Sequence, residues 1–84
     1  RSRPRRRDPY KVRKLEERRD ELTHEIDRAE RRLAEIELTF TDPALYGPDR
    51  LDEVRALEDE RDALQGRIGS WLAEWEDVER ELEE

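Results

Sequence analysis

Catalysis needs an acid, a base or a nucleophile held beside a partner, and this chain offers few such groups. Its one histidine, His24, falls at the outward f position of a helical heptad, where a surface residue is expected. The chain contains no cysteine, so thiolate chemistry, thiolate metal sites and disulfides are all excluded. Its three glycines are scattered and build no phosphate-cradling loop. No Ser, Thr or Lys stands beside a plausible base, and acidic pairs such as Asp59/Glu60 and Glu83/Glu84 read as solvated helix faces. The expectation is a chain that is not an enzyme, with no catalytic residues, no metal ligands and no cofactor of its own.

Two other groupings have chemical content. The first is acidic: Asp42, Asp49, Asp52 and Glu53 lie close together in sequence. They invite comparison with helical hairpins whose acidic tips enter RNA polymerase to hold magnesium, although helix capping accounts for Asp42 and Asp49 directly. The second is basic: residues 1–19 carry ten Arg and Lys against Asp8, Glu16 and Glu17, a balance of +7, while the remaining 65 residues sum to −14. A basic end on an acidic body points to one polyanion-binding end, with the rod serving another purpose. The candidate nucleic-acid-binding residues are Arg1, Arg3, Arg5, Arg6, Arg7, Lys11, Arg13, Lys14 and Arg18.

The elements that must position these groups follow from composition. With 51% charged and 32% hydrophobic residues, 84 residues cannot bury enough apolar surface for a globular core, because each ordered residue costs ~1–2 kcal/mol of backbone entropy. A narrow apolar seam between helices remains feasible. No run of apolar residues is long enough for a transmembrane span or a signal-peptide core, so no membrane partner is expected and a cytoplasmic setting is the default. The first residue is arginine, which suggests a piece of a longer polypeptide.

Arg1–Arg7 lacks any apolar residue, and residues 1–8 are expected to form a basic flexible arm or linker. Asp8-Pro9 then supplies an N-cap and a first-turn proline. From there Val12, Leu15, Leu22, Ile26, Ala29, Leu33, Ile36 and Phe40 follow a heptad interrupted only by Arg19. Val54, Leu57, Arg61, Leu64, Ile68, Trp71, Trp75, Val78 and Leu82 repeat the pattern. Between them Thr41–Asp49 holds two prolines and a glycine, the signature of a structured corner. The sequence therefore predicts an all-α fold: a two-helix antiparallel coiled-coil hairpin over residues 9–84, with a helix at 9–40, a short structured turn at 41–49 and a helix at 50–84. Within the turn, Pro43–Tyr46 should make one helical turn, Leu45 or Tyr46 should cover the seam near Phe40, and Gly47 should be a left-handed stop. Gly66 and Gly69 should mark the softest turn of the second helix.

The register is also legible. Folding back antiparallel pairs Ile36 with Val54, Leu33 with Leu57, Ala29 with Arg61, Ile26 with Leu64, Leu22 with Ile68, Arg19 with Trp71, Leu15 with Trp75 and Val12 with Val78. Small Ala29 would leave room for the Arg61 stem, and Arg19 would lie over Trp71 as a cation–π pair. The facing g positions become Lys11–Glu81, Arg18–Glu74, Glu25–Arg67 and Arg32–Glu60, each opposite in sign, whereas a one-heptad slide opposes like charges. A parallel homodimer would face Glu25 with Glu30 and Glu74 with Glu79, so an intramolecular, monomeric hairpin is preferred.

Asp42-Pro43-Ala44-Leu45-Tyr46 at the corner, with Trp75-Glu76 and Val78-Glu79 near the end, resembles the C-terminal domain of Uup-type ABC-F ATP-binding proteins over about Lys11 to Glu81. Two departures stand out, Glu74 where the family tends to have arginine and Val78 in place of leucine. The resemblance implies a DNA-binding accessory coiled coil attached to ATP-binding cassettes, with ATP and magnesium used only in that parent protein. Other ABC-F members act on the ribosome, which implies ribosomal RNA as the alternative partner. A purely structural interaction hairpin and, more remotely, an acidic-tip RNA polymerase-binding factor complete the set.

Overall fold

A computed structural model describes residues 8–84; the basic segment Arg1–Arg7 lies outside the described residues. Helix α1 runs Pro9–Phe40 and helix α2 runs Leu51–Glu83, joined by two 3-10 turns at Pro43–Tyr46 and Pro48–Arg50. The expected boundaries hold to within one residue. The start of α1 is set locally: the Asp8 carboxylate accepts the Tyr10 N–H at 3.0 Å, and Pro9 occupies the position where a missing N–H costs nothing. At the other end Thr41 closes the helix, its N–H and hydroxyl both donating to the Leu38 carbonyl.

The corner is built from side-chain-to-backbone hydrogen bonds. Asp42 caps the first 3-10 turn by accepting from Ala44 N–H at 2.9 Å. The Tyr46 hydroxyl reaches back to donate to the Phe40 carbonyl at 2.7 Å, and Arg50 donates to the Ala44 carbonyl at 3.1 Å while gripping Glu53 with two nitrogens. Leu45 drops into the end of the seam and is 1% exposed, whereas the Tyr46 ring stays largely in water. Gly47 departs from expectation: with φ −66° and ψ 158° it is extended, not left-handed. The cause is Pro48, whose ring pushes the preceding residue into the extended region.

The helices lie antiparallel in the predicted register. Ala29, Ile36, Leu64 and Ile68 form the core cluster, flanked by Ile26, Leu33, Phe40, Leu57 and Trp71. Leu22 and Ile36 are wholly buried. Two interhelical ion pairs, Arg18–Glu74 and Arg32–Glu60, join predicted g positions and exclude a shift by one heptad.

A Cβ added at Gly66 or Gly69 would meet no atom within 4 Å. Each Gly→Ala substitution is therefore expected to raise stability by ~0.8–1 kcal/mol through helix propensity alone, a gain that thermal unfolding followed by circular dichroism would measure. Leu45→Ala should do the opposite, lowering stability by about 2–4 kcal/mol because it opens the end of the seam.

Candidate nucleic-acid interface

The predicted basic residues divide into three groups. Arg1, Arg3, Arg5, Arg6 and Arg7 lie outside the described residues. Lys11, Arg13 and Lys14 stand on the first turns of α1 and are exposed. Of these, Lys14 approaches Glu17 at 3.6 Å and sits 5.8 Å from the centre of the Tyr10 ring, while Lys11 and Arg13 make no ion pair among the described residues. The first turn of α1 contains no acidic side chain, but the Asp8 carboxylate caps its amides and already meets the positive end of the helix dipole.

Arg18 is held across the seam by the second helix. Its Nε and Nη2 donate to the two Glu74 carboxylate oxygens at 2.6 and 2.8 Å, and Nη1 donates to Glu21 at 3.1 Å. These hydrogen bonds raise the arginine pKa and pull Glu74 below the ordinary carboxylate range. Glu74, one of the two departures from the Uup-type pattern, is thus the residue that engages Arg18. The same fork joins Arg32 to Glu60 at 2.7 and 2.8 Å and lowers the Glu60 pKa.

Of the two core arginines, Arg19 departs from expectation. Arg19 does not stack on Trp71; its guanidinium donates to Glu79 at 3.0 Å. Arg61 carries its guanidinium to 5.5 Å from the Phe40 ring centre. One geometric rule covers both: helical side chains lean toward their own N-terminus, so Arg19 leans to the open end and Arg61 to the corner. In an antiparallel pair those directions are opposite.

Sequence reasoning passed over Tyr10, which is 62% exposed among Lys11, Arg13 and Lys14. Its aromatic face amid basic residues could stack on a nucleobase, and the Pro-Tyr-Lys start of α1 was the available signal. Trp71 and Trp75, by contrast, are half-buried along the seam. His24 is exposed beside Thr23, Asp27, Arg28 and Arg31. At the corner Asp42 is used in capping and Glu53 in gripping Arg50, and among the described residues no three acidic or histidine side chains gather in a way that could hold a metal ion. None of the described helices is long and apolar enough to cross a membrane.

With the geometry in view, comparison adds no relative: no protein-family model, curated protein or solved structure matches this chain.

The depressed carboxylates predict a pH dependence. Glu53, Glu60 and Glu74 each have a folded-state pKa below the ordinary value because an arginine hydrogen-bonds the ionised form. Their stabilisation is fully present above the ordinary carboxylate range and is lost as pH falls through the depressed values. The unfolding temperature of the parent chain should therefore fall with acidification, and Glu60→Gln with Glu74→Gln should flatten that slope in circular-dichroism melts.

Proposed function

We propose that this hairpin is a nucleic-acid-binding accessory domain of a Uup-like ABC-F ATPase, contacting phosphates without sequence preference through its basic end. The observation that carries the reading is the segregation of charge. Lys11 and Arg13 project unpaired among the described residues from the first two turns of α1, just after the arginine-rich segment Arg1–Arg7 and the capping Asp8, on a body that otherwise repels polyanions. Phosphate contacts position a protein on nucleic acid but carry no base information, which suits arginine and lysine side chains on a single helix turn. Catalysis of ATP hydrolysis, with its magnesium, would reside in cassettes of the parent protein, and this hairpin would supply only binding.

DNA and ribosomal RNA offer the same phosphate chemistry. The helical frame, with Arg18 and Arg19 already occupied by Glu74 and Glu79, leaves the contact to the residues before Glu16. Tyr10 would add stacking on unpaired bases, so single-stranded segments should be favoured over duplex when Tyr10 is present.

Fluorescence anisotropy with labelled duplex DNA, single-stranded DNA and a ribosomal RNA hairpin tests this. If about five phosphates are neutralised, log affinity on duplex DNA should fall with log salt at a slope of roughly −4 to −5. Removing Arg1–Arg7 should abolish most of the binding, and Lys11→Ala with Arg13→Ala should weaken it further without changing helicity. Salt-independent binding, or affinity unchanged by the truncation, would overturn the assignment and leave a structural interaction hairpin.

A further inference from the structure

The two flanks of the seam are not equivalent. On the g flank opposite charges face one another, and Arg18–Glu74 and Arg32–Glu60 tie the helices together. The e flank carries Glu16, Thr23, Glu30 and Glu37 from α1 and Leu51, Glu58, Gln65, Leu72 and Glu79 from α2, five glutamates and no base. Glu30 and Glu58 face each other in this register, and among the described residues neither makes an ion pair. Among the described residues Arg19 from the core forms an ion pair with Glu79 and also lies near Glu16.

This flank also holds an open apolar groove of about 260 Å³ between Ile26, Leu72 and Trp75, edged by Thr23, Asp27 and Glu30. Leu72 is 44% exposed there, and Trp75 and Ile26 are only half-buried. Leu72 at an outward e position leaves apolar surface in water, and Glu30 and Glu58 bring like charge to the same flank, with Arg61 lining a surface pocket beside Glu58. A third helix would bury the leucine and neutralise the glutamates together.

We propose that the e flank is the docking face for a basic amphipathic helix of a protein partner. Its apolar residues, at alternating three- and four-residue spacing, would enter the groove beside Leu72 and Trp75, and lysines or arginines on its margins would meet Glu30 and Glu58. Charge selects this occupant over a second copy of the chain, because pairing two e flanks would set one row of glutamates against another. It also separates this face from the basic end of α1, so the two surfaces can act on different partners.

The test uses the full 84-residue chain and two synthetic peptides of identical Leu and Lys composition, one amphipathic and one with its leucines dispersed around the helix. The amphipathic peptide should bind and shift tryptophan emission to shorter wavelength, with Trp71→Phe assigning the shift to Trp75. Leu72→Glu should weaken binding by at least about tenfold, as for a central interface residue, while leaving helicity unchanged. Glu30→Lys with Glu58→Lys should weaken it as well. The proposal is overturned if the amphipathic peptide fails to bind, if the dispersed-leucine peptide binds equally well, or if Leu72→Glu binds like the parent. It is also overturned if sedimentation shows a dimer of the chain that Leu72→Glu dissociates, since the groove would then belong to a second copy.

Discussion

A chain with half its residues charged can exclude water from only one place, and here that place is the seam between α1 and α2. Everything else depends on how that seam is closed at its ends. At the corner it is sealed by Leu45, 1% exposed, beneath a turn held by Asp42, Tyr46 and Arg50. Half-buried layers occur at both ends: Leu33, Phe40, Val54 and Leu57 near the corner, and Val12, Leu15, Trp71 and Trp75 toward the open end, where Val78 is buried. The ion pairs are spread likewise, Arg32–Glu60 on the corner side and Arg18–Glu74 and Arg19–Glu79 toward the open end.

Charge performs separate tasks on each face of this rod. On the g flank it selects register, because each fork between arginine and glutamate exists only when the heptads are aligned and a slide opposes like charges. Within the seam, Arg61 uses its stem and guanidinium to cover Phe40, and Arg19 uses a core position to reach Glu79. At the start of α1, Lys11 and Arg13 face water and make no ion pair among the described residues. The e flank has charge of one sign and an exposed leucine, a combination that suits contact with something other than the hairpin itself.

The bounds of α1, the corner and the pairing of Arg18 with Glu74 and Arg32 with Glu60 were legible in the letters. N-cap aspartates, first-turn prolines and heptad spacing act through neighbours within one or two turns, so a linear reading captures them. The candidate site was legible only in part. Its composition pointed to the basic end and counted Arg18 there, while the fork that joins Arg18 to Glu74 and its bond to Glu21 show only in the folded chain. Tyr10 did not count and stands exposed among the lysines.

The sequence by itself determined that this chain would be two long helices turned back on each other in one register, because apolar spacing and the charge signs at the g positions leave no other alignment that faces the a and d side chains inward and opposes arginine with glutamate across the g flank. Tertiary structure decided where the long side chains end. Arg19 went to Glu79 and Arg61 to Phe40 because antiparallel packing aims their leaning stems in opposite directions along the seam. Gly47 became extended because Pro48 restricts it, and Arg50 and Tyr46 became struts because the corner brought the Ala44 and Phe40 carbonyls within their reach. Such contacts join residues by the path of the folded backbone, and no spacing in the linear chain encodes the reach of a flexible side chain across it.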